Sequence, residues 1–158
     1  MSGDRVAGKG CLDPNDAAFV DVVSDLLSRG HGVRFRARGG SMRPTICEGE
    51  AITVAPARPA GIRRGDVILY RVGRGVIAHR VARIAQRPDG ALVFIPRGDA
   101  SQSRDEPVGE TAVLGKVVTV ERGGRALDPK AGRARALAVA WAAAARLLGW
   151  LRVWGLDV

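Results

Sequence analysis

The feature that most constrains this chain is a change of apolar period near Gly30. Before it, Phe19, Val22, Val23, Leu26 and Leu27 recur at helical spacing; after it, Val33, Phe35 and Ala37 alternate with Arg34, Arg36 and Arg38. The first pattern builds one amphipathic helix, and the second builds a strand with one wet face. Asp13-Pro14 reads as the helix start, with Asp16 in the first turn beside the unpaired amides, and Gly30 supplies the stop. These signals predict a helix over 14–29. Further strands are expected at 51–55, 67–71, 76–84, 91–96 and 113–121, separated by the turns Arg64-Gly65-Asp66, Gly73-Arg74-Gly75 and Pro88-Asp89-Gly90. The fold class read from this is mainly β, a folded sheet or barrel with an N-terminal helix.

The chain divides accordingly into a tail and amphipathic helix over 1–32, a β-rich core over 33–123, and a linker with a C-terminal helix over 124–158. In that last segment Leu137, Trp141, Ala144, Leu148 and Leu151 form one stripe, with Arg135 and Arg146 nearly opposite. Two Arg inside a span would each cost roughly 2.5–3.5 kcal/mol near its centre, so the helix is expected to be amphipathic rather than spanning. Packing on the body is the commonest role for such a helix; contact with a bilayer surface and capture of a partner are also open to it. The first thirty residues carry Asp4, Asp13, Asp16, Asp21 and Asp25, which excludes an export signal there. The expected compartment is the cytoplasm, with peripheral membrane contact only through the C-terminal helix.

Composition enters through charge. Lys plus Arg number 25 against 16 acidic residues, a net of +9, and only Lys9, Lys116 and Lys130 are lysines. A basic balance suits nucleic acid or anionic lipid, but aromatics are only 4% of residues, too few for base stacking, so no nucleic-acid partner is expected. Cys11 and Cys47 form no metal-ligand spacing and no disulfide framework. No metal and no cofactor are expected.

Chemistry is concentrated after the first strand. In Gly39-Gly40-Ser41-Met42-Arg43-Pro44-Thr45 a serine sits on backbone able to turn tightly, its hydroxyl exposed and its amide free to meet an oxyanion. A serine in a Gly-rich turn is more often simply a turn residue. A serine nucleophile needs a base, and the candidates are His31, His79 and the three lysines. His79 is the best placed, in Gly75-Val76-Ile77-Ala78-His79-Arg80-Val81, where alternation puts it on the inward face with Ile77 and Val81. The commoner fate of such a histidine is a core residue satisfied by backbone. Asp99 and Asp105, in the polar loop after the next strand, are carboxylates able to orient its ring or to build an Asx turn.

Taken in order, Gly-Gly-Ser-Met-Arg-Pro-Thr, Arg-Gly-Asp-Val-Ile-Leu-Tyr-Arg, Ile-Ala-His-Arg-Val, Arg-Gly-Asp with Asp105 following, and Leu114-Gly115-Lys116-Val117 resemble the type I signal peptidase superfamily over about residues 38–120. His79 stands where leader peptidases and self-cleaving repressors carry lysine, which resembles the Ser/His branch of the endoplasmic-reticulum, archaeal and sporulating-bacterial enzymes. The resemblance implies Ser41 as nucleophile, His79 as general base, Asp105 at the orienting position and Asp99 at a loop-supporting one. Which of the two carboxylates orients His79 stays open in the sequence. It also implies a protein or peptide substrate bound in extended form beside a strand.

Two departures are specific. Gly39 stands where the family usually has Ser, and Arg43 where it usually has Glu. With no room for an anchor or a helix-turn-helix, the expectation is a serine endopeptidase that trims a leader or propeptide from a particular partner; the alternative is a catalytically decayed peptide-binding module on the same fold. Arg38, Arg43, Arg80, Arg97 and Arg104 lie in or beside the motifs, where they either steer an acidic leader or keep a β-rich surface soluble.

Overall fold

The structure is a computed structural model and describes residues 16–131. One helix, α1 (Ala17–Ser28), precedes eight strands: β1 (Val33–Arg36), β2 (Ala51–Ala55), β3 (Val67–Val72), β4 (Gly75–Gln86), β5 (Leu92–Arg97), β6 (Val108–Gly109), β7 (Val113–Arg122) and β8 (Arg125–Leu127). They form one open antiparallel sheet in the order β1-β2-β7-β3-β4-β5-β6, with β8 alongside β7. The mainly β expectation holds. The C-terminal helix expected from residue 134 onward, with its membrane contact, lies outside the described residues, as does Asp13. No helix among the described residues is long and apolar enough to cross a membrane.

Asp16, not Asp13, caps α1: its backbone is extended and its carboxylate accepts from the Ala18 amide at 3.1 Å. At the other end Gly30, at φ +88°, allows His31 N–H to reach the Leu26 carbonyl at 2.9 Å, which satisfies a carbonyl the helix leaves open. The buried stripe is Phe19, Val20, Val23 and Leu27, while Val22 and Leu26 face outward. The helical period is as expected, but Val20 rather than Val22 or Leu26 completes the buried face, because apolar residues occupy both flanks of the Phe19-Val23-Leu27 line. Phe19 meets Phe35 of β1 edge-to-face, with centroids 5.1 Å apart.

β1 keeps its expected alternation, Val33 and Phe35 inward and Arg34 and Arg36 outward. β3 is different: its first four residues, Val67, Ile68, Leu69 and Tyr70, are all buried. Val67 and Leu69 join a core beneath α1 with Val23, Leu27, Val54 and Val117, whereas Ile68 and Tyr70 join a second core with Val81, Phe94 and Val108. A strand covered on both faces reads as a continuous apolar run. β7 binds β2 on one edge and β3 on the other. Their approach explains Gly115, where a Cβ would stand 2.6 Å from the Ala55 carbonyl oxygen and 3.3 Å from Leu27.

Two features of β4 place the functional site. Its first half pairs with β3 alone, because β5 registers with it only from Arg80 onward. Its inward alternation also breaks: Ile77, expected in the core, is exposed, while the neighbouring Arg80 is only 3% exposed.

Candidate active site

The turn that carries Ser41 is pinned from several sides. Ser41 is exposed, but Met42 and Ile46 are buried in the core beneath α1 and an Ile46 N–H to Met42 carbonyl bond of 2.9 Å closes the turn. From the end of β7, Arg122 donates to the Pro44 carbonyl at 2.9 Å and also binds the Glu50 carboxylate. The Arg122 hydrogen bond holds the Glu50 carboxyl below its ordinary range against the opposing effect of burial. Gly39, at φ +81°, gives the chain its bend just before the serine.

His79 comes to this turn from β4. Its Nε2 lies 2.8 Å from Ser41 Oγ, and its Nδ1 forms a short contact with Asp105 Oδ2. An ionised carboxylate can only accept, so Nδ1 carries the proton and Nε2 is left to accept from the serine hydroxyl. His79 is buried and Ser41 is open to solvent, the arrangement a base and an accessible nucleophile require.

Asp105, rather than Asp99, is the carboxylate in contact with His79 Nδ1. Its own position is fixed by its N–H bonding to the Pro96 carbonyl at 2.9 Å and by the Tyr70 hydroxyl donating to Oδ2 at 2.6 Å. Burial, reinforced by the hydrogen bond and charge of Asp105, pushes the Tyr70 phenol far above its usual range, so it stays a donor. Sequence reasoning gave Tyr70 no role. Its place follows from the register: Ile68 is opposite His79 in the β3–β4 pairing, and Tyr70 lies two residues on, on the same face.

Asp99 does not touch the histidine ring among the described contacts. Its two oxygens accept from Arg80 Nε and Nη2, each at 2.7 Å, and Oδ2 also accepts from Thr45 Oγ1 at 2.5 Å. Arg80 extends the network to the Gly65 carbonyl at 2.7 Å and the Pro129 carbonyl at 3.1 Å. This corrects the expectation for Arg80, which neither steers a ligand nor solubilises the surface; it is a buried cation whose charge Asp99 neutralises. Thr45 links that pair to the turn that carries Ser41.

Gly98 is the second residue the sequence did not single out. A Cβ there would lie 2.6 Å from the Ser41 carbonyl oxygen and 3.2 Å from His79 Nε2, and the Ala100 N–H donates to that same carbonyl at 2.9 Å. The Gly98–Asp105 loop thus packs directly on the serine and the histidine. Lys116 and His31 are not in this group. Lys116 pairs with the buried Asp66 at 3.6 Å, where Lys130 also pairs at 2.5 Å, and His31 is exposed after α1.

In front of Ser41 and His79 is a cavity of about 370 Å³, walled by Phe35, Met42, Ile52, Leu69, Val76 and Ile77 among others. Ile77 is thus exposed because it forms part of this wall. The cavity is mostly apolar and borders the stretch of β4 that β5 leaves unpaired.

Comparison with known proteins gives the chain's family. The chain is 31% identical over 68 residues to the signal peptidase complex catalytic subunit SEC11C of Homo sapiens, and equally to that of Mus musculus. The match covers 42% of this chain and 35% of each relative, so it spans about a third of their length. A family model described as peptidase S24-like matches residues 5–118, well over half of the chain. On that match and this fold, the chain belongs to the peptidase S24-like family, within the signal peptidase I-like superfamily.

Proposed function

We propose that the protein is a serine endopeptidase in which Ser41 is the nucleophile, His79 the general base and Asp105 the group that orients it. The observation that carries this reading is the unbroken line from Ser41 Oγ to His79 Nε2 at 2.8 Å and from His79 Nδ1 to Asp105. A decayed peptide-binding module has no need of that contact, which supports the catalytic reading over the alternative.

In the mechanism, His79 Nε2 accepts the Ser41 hydroxyl proton as Oγ attacks the scissile carbonyl carbon. The imidazolium that forms is stabilised by Asp105, then gives its proton to the leaving amine as the peptide C–N bond breaks. Water attacks the acyl-serine with the same base and releases the new carboxyl terminus. The Ser41 backbone N–H donates to no group among the described residues, which leaves it available to the developing oxyanion.

The substrate is a polypeptide bound in extended form. Its backbone pairs with the free edge of β4 between Gly75 and His79, and the adjoining cavity takes apolar side chains. The event is removal of a leader or propeptide from a particular partner protein or peptide.

A serine-directed electrophile, followed by mass mapping of the adduct, tests the reading. The expected result is a single adduct on Ser41 in the wild type, lost in Ser41→Ala and strongly slowed in His79→Ala. Labelling of Ser41 at an equal rate in wild type and His79→Ala would remove the base from the mechanism.

A further inference from the structure

A second, smaller cleft of about 100 Å³ shares no lining residue with the cavity at Ser41. It is lined by Arg64, Arg80, Ala82, Arg97, Asp99 and Arg104. Arg80 and Asp99 cancel each other in their paired hydrogen bonds. Three guanidinium groups remain, on Arg64, Arg97 and Arg104, and none has an ion-pair or hydrogen-bond partner among the described residues. Like charges gathered around one small polar cleft repel unless an anion joins them. A water molecule's share of liquid volume is about 30 Å³, so the cleft has room for a phosphate-sized oxyanion or a carboxylate. Guanidinium forks suit both anions through paired hydrogen bonds.

The location of the three cations gives the cleft a consequence. Arg97 directly precedes Gly98, which packs on Ser41 and His79, and Arg104 directly precedes Asp105, which orients His79. They stand at the two ends of one loop. Arg64 precedes Gly65, whose carbonyl accepts from Arg80. An anion bridging Arg97 and Arg104 draws the loop ends together and holds Asp105 on His79.

We propose that Arg64, Arg97 and Arg104 form an oxyanion-binding site at the base of the catalytic loop, and that its occupancy raises the rate of cleavage. The ligand is a compact oxyanion, either free in solution or an acidic side chain of the bound polypeptide. Binding stands on the cleft alone; the effect on rate rests on the peptidase reading above.

Calorimetric titration of the full chain with inorganic phosphate, at ionic strength held constant with chloride, reads the site directly. Saturable binding is expected in the wild type and in the surface control Arg125→Gln, weakened about tenfold or more in Arg97→Gln with Arg104→Gln, the loss of at least one charge-assisted contact. The same titration with peptide pairs differing only by Glu or Gln identifies the source. Phosphate binding without a Glu preference assigns the site to a free oxyanion. A Glu preference that vanishes in the double variant assigns it to the substrate. Equal responses of wild type and double variant to both probes overturn the proposal, whatever the peptidase assays show. With the site occupied by phosphate, kcat/KM should rise in the wild type and not in the double variant; an unchanged wild-type rate overturns the coupling.

Discussion

Replacing Gly98 with alanine adds one methyl group at the tightest point of the site. Gly98 has no positive φ, so the backbone accepts alanine and the effect comes from space alone. The new Cβ would lie 2.6 Å from the Ser41 carbonyl oxygen, 3.0 Å from Ser101 Oγ and 3.2 Å from His79 Nε2. Carbon–oxygen contacts reach their near limit at ~3.3 Å, so the loop and the nucleophile turn must part by roughly 0.7 Å. Ser101 Oγ can rotate away; the Ser41 carbonyl is backbone and is held by Ala100 N–H, so the turn must move with it. A misplacement near 1 Å at reacting groups costs about a hundredfold in rate. Overpacking costs about 1–3 kcal/mol of stability, and each kcal/mol lowers the melting temperature by roughly 3–5 °C in a domain of this size. Gly98→Ala should therefore stay folded at 25 °C while kcat/KM on a cleaved peptide falls about a hundredfold. Gly109→Ala is the matched control, since a Cβ there meets nothing within 4 Å and its φ of −70° suits alanine. Steady-state kinetics with a thermal melt on each variant decides the matter. A Gly98→Ala enzyme with wild-type kcat/KM would refute the claim that this loop presses on the nucleophile.

The two carboxylates should separate cleanly. Asp105→Asn should leave the melting temperature close to wild type while kcat falls on the order of 10³–10⁴-fold, because an amide no longer enforces the productive tautomer. Asp99→Asn should instead destabilise the fold by about 3–5 kcal/mol, since it strands the buried Arg80 cation; equal stability in the two variants would contradict the division of roles. Tyr70→Phe keeps the packing and removes the donor to Asp105, so kcat/KM should drop on the order of tenfold with KM little changed, and no change would leave the hydroxyl without a function. Stability should fall on acidification. Burial raises the Asp66 carboxyl, but the Lys130 and Arg63 hydrogen bonds and the charges of Lys116 and Lys130 outweigh it, leaving Asp66 below its ordinary range; Arg122 does the same for Glu50. The unfolded chain then binds more protons, so this stabilisation is complete above the ordinary carboxylate values of about 4 and is lost as pH falls through the lower folded values. Denaturant midpoints measured from pH 6 to 2 should decline there, and less so in Glu50→Gln; parallel declines would remove Glu50 from the account.

Much of the fold is legible in the amino-acid sequence, and what is not has physical causes. The change of period at Gly30 places α1 and β1, with the helix starting three residues later than expected, and the apolar runs place β2 through β5 and β7 each to within two residues. β6 and β8 are two and three residues long, too short to carry a period. Ser41 and His79 were legible because both lie in motifs whose order along the chain is informative, and the fold brings them into contact from 38 residues apart. Alternation assigned Arg80 to the surface and Ile77 to the core, and both were inverted. A cation goes inside only where a distant partner neutralises it, and Asp99, nineteen residues on, is invisible to a local pattern. Ile77 is exposed because the sheet opens there to form a cavity, which likewise depends on where β5 stops pairing. Tyr70 and Gly98 act through a hydrogen bond and a close approach, neither of which a residue type announces.

The central claim is that Ser41, activated by His79, cuts polypeptide chains. The most direct measurement incubates the purified full chain with a proteome-derived peptide library and reads new amino termini by mass spectrometry, for wild type, Ser41→Ala and His79→Ala in parallel. The account predicts new termini in the wild type, absent in Ser41→Ala and strongly reduced in His79→Ala. New termini produced equally by wild type and Ser41→Ala would contradict it.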